Sequence, residues 1–294
     1  MHILVVGGGM GGTILANNLA RRLSGELEQG SSKITMLSAS DKHMYQPGLL
    51  YVAVGKMSTS ELYRDQKSLL EPSIDFHVDP VEKFDLDNNA VTTKSGKKIS
   101  YDIICIATGS RGNAAGIPGL AENACQFYTE ADALAMYKKL QKFEGGKVVV
   151  ATGVPHKCPM SPLEITFFLI DYFKKRGIWD KVDLHYTYPI GRVHSLEPVA
   201  KWAAPEFDKE GVTYETLFNM KEVVPGKVIS EEDSSAEFDL LVTVPPHKGM
   251  QVIEDNELGK GGFIPTDKKK LNMEGRDNVF VLGDTTNLPI SKAG

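Results

Sequence analysis

Hydrophobic residues along the chain fall into two patterns, short solid runs and longer stretches in which they return every third or fourth position. The first run, His2 to Val6 (HILVV), reads as a strand, and Ile14, Leu15, Leu19 and Leu23 then mark one face of a helix. The same succession returns further on. Lys33 to Leu37 (KITML), Tyr101 to Ser110 (YDIICIATGS), Lys147 to Ala151 (KVVVA), the end of Trp179 to Tyr188 (KVDLHYTY) and Asn278 to Pro289 (NVFVLGDTTNLP) each carry an apolar strand. Runs without polar alternation suit the interior of a parallel sheet with both faces covered. Helices are punctuated between them. Thr129-Glu130-Ala131-Asp132 is a capping-box pattern opening EADALAMYKKLQKF, and Ser161-Pro162-Leu163-Glu164 is another, with proline at the first helical position. The second of these helices is predicted from about Pro162 to Arg176, with Lys174, Lys175 and Arg176 as a basic last turn and Gly177 as its cap. Strand, helix and strand in this order predict an α/β fold with two Rossmann-like βαβ units.

Composition narrows the picture. At 294 residues the chain has room for two domains, taking roughly 100–200 residues for each. Its net charge of −5 gives no basic face for nucleic acid. No run is long enough to span a membrane, and no charged and apolar leader precedes the first strand, so a cytoplasmic protein is expected. The 3 cysteines have unrelated spacings and do not make a disulfide framework, and nothing points to a metal.

The loop after the first strand reads GGGMGG, in which Gly7, Gly9 and Gly12 form G-x-G-x-x-G around Met10. Between a strand and a helix this spacing is a diphosphate cradle. The glycines permit a tight turn and a close backbone approach, and the helix N-terminus offers free N–H groups. The ribose-facing position at the end of the next strand is Ser38, with Asp41 nearby, although a serine there is equally explained as part of a turn.

The stretch Val148 to Glu164 (VVVATGVPHKCPMSPLE) lies where a second cradle would be expected, and it has lost the glycines. Only Gly153 remains, while Pro155, Pro159 and Pro162 have no N–H to give, so NADH binding in the usual mode is disfavoured. Cys158 stands there instead. A helix N-terminus and the neighbouring His156 and Lys157 favour a thiolate nucleophile at that point. Cys125 precedes the other capped helix and is expected to be a second loop thiol, whereas Cys105 lies inside an apolar strand and is expected in the core.

Three motifs together carry a resemblance. GGGMGG, the Ala-Thr-Gly of Ala107 to Gly109 and the Gly-Asp of Gly283-Asp284 resemble, in order and spacing, the flavoproteins with two dinucleotide-binding domains, over nearly the whole chain. That resemblance implies FAD, with Asp284 on its ribityl chain and Thr108 and Gly109 closing over the diphosphate. It implies an FAD domain at residues 1–112, split by a second Rossmann-like domain at 113–245 and resumed at 246–294. With VPHKCPMSPLE, a cysteine upstream of it, VPPHKG (Val244 to Gly249) and GDTTNLPISKAG, the chain further resembles the sulfide:quinone oxidoreductases.

In that family sulfide is oxidised at redox-active cysteines beside FAD, the sulfur is held as persulfide or polysulfide, and a quinone takes the electrons. Carried over, Cys158 is the flavin-proximal thiol, Cys125 a second redox or channel cysteine, and Glu164 an acid/base, though its capping box alone explains Glu164. Gln46, Pro47 and Val81 are expected to approach the cofactor, and Lys292 to donate to the flavin. His194 and His247 are candidates for proton transfer or ordinary loop residues. Members of the family continue well past the position of Gly294, with a further active-site cysteine and segments for the membrane surface. The expectation is therefore a peripheral membrane protein in full-length form, a possible homo-oligomer, and weak FAD binding by these residues alone. The competing readings are a type II NADH:quinone oxidoreductase, which shares the HMYQPGLLYVAVG region, and a flavin-binding electron-transfer partner without turnover.

Overall fold

Two five-stranded parallel sheets organise the computed structural model, which describes residues 1–289. In the first, the strands lie in the order Val279–Val281, Ile103–Ile106, His2–Val6, Lys33–Ser38 and Ile74–Val78. In the second, the order is Ala124–Cys125, Leu240–Val244, Gly146–Thr152, Val182–Tyr188 and Thr213–Thr216. Every pairing within both sheets is parallel. The fold is α/β with two Rossmann-like units, the first completed by a strand that comes after the second unit in the chain.

The second unit repeats the first. In each, a helix crosses between neighbouring strands, Met10–Arg22 from His2–Val6 to Lys33–Ser38 and Ser161–Lys175 from Gly146–Thr152 to Val182–Tyr188. Each also inserts a three-stranded antiparallel ribbon, before Ile103–Ile106 in one and before Leu240–Val244 in the other. These are Val81–Asp85, Ala90–Thr93 and Lys98–Ser100 in the first unit, and Met220–Val224, Lys227–Ser230 and Ser235–Glu237 in the second. Alternate residues of one strand feed opposite faces. Ile3 and Val5 pack with Ala16, Ala20 and Met36 below the first helix, while Leu4 and Val6 pack with Leu37, Ile104 and Val279 on the other side. In the second sheet Val148 and Val150 meet Leu163, Leu169 and Phe173, and Val149 and Ala151 meet Phe218, Val223 and Val228.

The helix Gly48–Ala53 ties the units together. Leu49, Val52 and Ala53, all nearly fully buried, share one core with Met136, Leu140 and Leu163 of the second unit. A fully buried aliphatic side chain contributes roughly 1.5–3 kcal/mol, so this short helix anchors the residues just before it. Nearby, Tyr63 Oη donates to Glu130 Oε2 at 2.6 Å. The two chain passages between the units run side by side, Ser110–Gly112 paired antiparallel with His247–Gly249. Among the described residues no helix is long and apolar enough to cross a membrane.

One of the two expected caps forms. Thr129 Oγ1 accepts the backbone N–H of Asp132 at 3.1 Å and caps the helix Glu130–Lys142. The other does not. The helix Ser161–Lys175 begins one residue before its proline, Met160 is its N-cap without a side-chain hydrogen bond, and the Ser161 hydroxyl is turned elsewhere. Its C-terminus closes on Gly177, whose φ of +67° suits the left-handed cap predicted for it. Thr129→Ala is expected to lower the stability of the chain by about 1 kcal/mol in urea unfolding with an unchanged slope. An unaltered midpoint would show that this cap contributes nothing.

Candidate functional site

The glycine turn is built so that three of its glycines, Gly7, Gly8 and Gly12, are crowded and two others face open space. A Cβ on Gly7, whose φ is +117°, would sit 2.3 Å from the Ala107 carbonyl oxygen, and one on Gly12 would sit 2.0 Å from that of Gly7. A Cβ on Gly9 or Gly11 would meet nothing within 4 Å. Gly9 is also the N-cap of Met10–Arg22 and makes no side-chain cap bond, so the first-turn N–H groups have no side-chain acceptor there. Met10 is exposed beside them. A free helix N-terminus under an uncluttered glycine turn fits a nucleotide diphosphate.

Residues that the motif did not reveal brace this turn from beneath. Thr13 Oγ1 donates to the Gly8 carbonyl at 3.3 Å, and Gln66 Nε2 donates to Thr13 Oγ1 at 2.9 Å. His43 Nδ1 lies 3.1 Å from the same carbonyl and 3.0 Å from Gln66 Oε1. Gln66 is fully buried, and no spacing rule connects it to the glycines. Gly8 is equally constrained, since its Cβ would fall 2.4 Å from Ser38 Oγ. Ser38 is buried and its hydroxyl accepts from the Ser40 N–H at 3.2 Å, while Asp41 is exposed. Val81 is buried in the core under the antiparallel ribbon with Leu4 and Leu37.

The segment after Val279–Val281 locks onto the end of Ile103–Ile106. Thr285 Oγ1 accepts the Gly109 N–H at 2.7 Å and lies 3.4 Å from Thr108 Oγ1. Ser110 Oγ donates to Asp284 Oδ2 at 3.0 Å. The same carboxylate oxygen is 2.7 Å from Lys157 Nζ, and that ammonium donates to Gln46 Oε1 at 2.5 Å. The side chains of Lys157 and Asp284 are only 17% and 12% exposed, so this pair is largely withdrawn from solvent. Gln46, Lys157 and Asp284 thereby join the first segment, the cysteine loop and the return segment at one point. Pro47 and Tyr45 flank Gln46 and are exposed.

Cys158 is half-buried, and its carbonyl accepts from Ser161 Oγ at 3.0 Å. The Ser161 hydroxyl is 2.6 Å from Tyr128 Oη, and the Tyr128 ring lies edge-on to His247 with centroids 4.5 Å apart. On the other side His156 Nε2 is 3.2 Å from Tyr188 Oη, whose phenol is pushed up to about 12, mainly by burial. Burial holds His156 below the usual imidazole range, so it is a neutral neighbour and not the cation expected from its position. His194 is held down in the same way, with Nδ1 accepting from the Leu196 N–H at 3.0 Å.

Two further expectations are corrected. Cys125 is no loop thiol but a strand residue paired with Val242, 5% exposed, in the core with Met136 and Leu140. Burial pushes its thiol up, against the opposing influence of Lys139. Glu164 takes no part in a capping box, and burial raises its carboxyl above the ordinary range. Cys105 is a core residue as read, its thiol pushed up to about 12 by burial. Lys292 lies outside the described residues.

In the second unit the glycine that directly follows the strand, Gly153, is crowded as Gly7 is, and no further glycine follows it in the loop. A Cβ on Gly153 would lie 2.5 Å from Pro246 Cδ, and the Gly153 N–H already donates to the Val244 carbonyl at 2.8 Å. Gly153 itself therefore offers no free backbone donor.

A family model described as pyridine nucleotide-disulphide oxidoreductase matches residues 1–151. The chain is 31% identical to the mitochondrial sulfide:quinone oxidoreductase of Dictyostelium discoideum, over 99% of this chain and 66% of that protein. It is 28% identical to the sulfide-quinone reductase of Aquifex aeolicus, over 98% of this chain and 69% of that protein. The crystal structure of the Aquifex aeolicus sulfide:quinone oxidoreductase superposes with a TM-score of 0.86 at 25% identity, covering 98% of this chain and 69% of that one. The NDH2 of Plasmodium falciparum in complex with NADH superposes with a TM-score of 0.73 at 17% identity, a likeness of fold. The chain thus spans about two thirds of the length of the curated relatives it matches.

Removing one partner of the buried pair strands the other, so Lys157→Met is expected to destabilise the chain by about 3 kcal/mol. The double variant Lys157→Met/Asp284→Leu should recover part of that loss in denaturant unfolding, and an additive double would exclude the pair as a coupled unit. Acid sensitivity follows from the histidines. His2, His156, His185, His194 and His247 are all held below the usual value by burial, His247 to about 4. The unfolded chain therefore binds more protons between the ordinary imidazole value and the folded one, and stability falls as pH drops through that window. His247 alone accounts for on the order of 3 kcal/mol once fully titrated. A melting temperature that holds steady from pH 7 to pH 5 would contradict this, and His247→Gln should flatten the decline.

Proposed function

We propose that this chain, which belongs to the pyridine nucleotide-disulphide oxidoreductase family, uses FAD to oxidise sulfide at Cys158 and passes the electrons to a quinone. The observation that carries this reading is the contrast between the two turns. The first leaves Gly9 and Gly11 open beneath a helix N-terminus, and the second keeps the single glycine Gly153 and presents a cysteine loop with Pro155 and Pro159 in place of the glycine-rich turn. A loop short of glycine and rich in proline disfavours the usual seat of a nicotinamide donor, and Cys158 offers sulfur as the entry for reducing equivalents. The similarity to sulfide:quinone oxidoreductases over nearly the whole chain supports the same substrate pair.

In this reading Gly7, Gly9, Met10 and Gly12 hold the diphosphate, and Thr108 and Gly109 close over it. Ser38 and Val81 lie toward the adenosine end, Gln46 and Pro47 stand at the flavin side, and Asp284 receives the ribityl chain while paired with Lys157. When bound, FAD supplies a two-electron acceptor. The chain's own residues present the sulfur. Hydrosulfide and the Cys158 thiolate combine into a persulfide anion, releasing one proton and two electrons; the S–S bond formed is the oxidation. Ser161 Oγ, itself paired with Tyr128 Oη, holds the carbonyl of Cys158 and so fixes its backbone. Glu164, free of capping duty and with its carboxyl raised, is the acid/base of this reading and takes up the released proton. Cys125, deep in a strand, is given a packing role here.

Domain limits at 112/113 and 245/246 fit the paired passages Ser110–Gly112 and His247–Gly249, the crossing between the units. The quinone site and any contact with a membrane belong to the proposal through the relatives alone.

Cys158→Ser is expected to leave FAD binding intact and to abolish the anaerobic bleaching of FAD absorbance by sulfide, a loss of more than a hundredfold in rate. NADH should leave the flavin oxidised in both proteins. Bleaching of the serine variant by sulfide at the original rate would remove the basis of this assignment, and bleaching by NADH would favour the NADH:quinone reading.

A further inference from the structure

We infer that Lys157 is a positioning residue for Cys158: by binding Gln46 and Asp284 at once, its ammonium lets the first and the return segments of the chain decide where the thiol stands. This role rests on the reading of Cys158 as the reacting sulfur and adds a residue to it. The loop from Gly153 to Ser161 is tied down almost one residue at a time. The Gly153 N–H donates to the Val244 carbonyl at 2.8 Å, and the Pro155 carbonyl accepts the His247 N–H at 2.7 Å. His156 Nε2 lies 3.2 Å from Tyr188 Oη, and the Cys158 carbonyl accepts from Ser161 Oγ at 3.0 Å. These ties use the second unit itself or the passage that leaves it. Lys157 reaches further.

Its Nζ lies 2.7 Å from Asp284 Oδ2 and donates to Gln46 Oε1 at 2.5 Å, and the same carboxylate oxygen accepts from Ser110 Oγ at 3.0 Å. The residue that makes this junction is the immediate neighbour of Cys158, so a shift of the ammonium carries the backbone of the thiol with it. Both anchors are themselves held. The helix Gly48–Ala53, which follows Gln46 closely, has Leu49, Val52 and Ala53 in the core of the second unit. Thr285, next to Asp284, accepts the Gly109 N–H on its Oγ1 at 2.7 Å. The four-carbon stem of the lysine is the part that yields. With the side chains of Lys157 and Asp284 only 17% and 12% exposed, water replaces these contacts poorly, and losing them frees the loop. A substitution in the first unit therefore alters the accessibility of a thiol in the second.

The test needs neither FAD nor sulfide. The whole chain is treated with iodoacetamide at neutral pH, and the labelling rate of Cys158 is read by mass spectrometry of its peptide. Cys105 and Cys125, each 5% exposed, report general loosening in the same digest. Lys157→Met is expected to raise the Cys158 rate about tenfold, whereas Lys157→Arg, a cation able to reach both partners, stays within about twofold of the unaltered chain. If the methionine variant also exposes Cys105 or Cys125, Gln46→Leu, which spares the ion pair, decides in its place with a rise of about threefold. Lys56→Met is the control. It removes a separate tie between the units, the 2.8 Å pair of Lys56 with Asp171, and should leave Cys158 as it was.

An unchanged Cys158 rate in the deciding variant overturns the inference. An equal rise in Lys56→Met does so too, because any loosening between the units would then suffice, as does an arginine variant as reactive as the methionine one. A chain whose bound flavin is not reduced by sulfide would sink the proposed reaction and leave the labelling result standing.

Discussion

The ion pair of Lys157 and Asp284 is the contact on which the arrangement of the cleft depends. Two opposite charges at 2.7 Å, both largely shielded from water, lose much of their hydration and keep their gain only while the geometry holds. Here the geometry is shared among three distant parts of the chain, because the same ammonium also reaches Gln46 and the same carboxylate also accepts from Ser110. Such a pair does more for specificity than for net stability. It fixes where the cysteine loop stands relative to the glycine turn, a distance that neither sheet sets by itself.

The two βαβ units carry nearly the same layout and opposite chemistry at their turns. In the first, glycine is required by crowding at Gly7, Gly8 and Gly12 and leaves space at Gly9 and Gly11. In the second, Gly153 is crowded by Pro246 and its N–H closes a strand hydrogen bond, as Gly7 does in the first, but Pro155 and Pro159 stand where further glycines would leave space. In the proposed function a cysteine loop stands in the second unit where the first has its glycine turn, with no change of fold, and the hydroxyls of Ser161 and Tyr128 hold that loop by its backbone.

The cores explain why the loop can be so irregular. Gly48–Ala53 reaches from the first unit into the hydrophobic cluster of the second and so pins the segment around Gln46. With strands and helices fixed on either side, the residues between Gly153 and Ser161 need little regular hydrogen bonding of their own. Function is carried by a connection that the scaffold positions.

Periodicity and motif determined the elements, the α/β class, the glycine turn and the likeness to flavoproteins, because apolar runs and tight turns are consequences of nearby residues. Gly7, Gly9, Gly12 and Cys158 stood out in that way as candidates, and Asp284 through the resemblance. Gln66 and His43 beneath the turn, Ser110, Thr285 and Tyr128 around the cleft, and the partnership of Lys157 with Asp284 were not, since each joins residues that are far apart in sequence and only neighbours in space. Local signals also misled where tertiary packing outweighed them. Ser161 has the pattern of an N-cap, yet its hydroxyl bonds to Cys158 and Tyr128, and Cys125 precedes a helix, yet pairs in a buried strand. A side chain with one hydrogen to donate goes to the partner the folded chain brings nearest, and only the tertiary structure decides which partner that is.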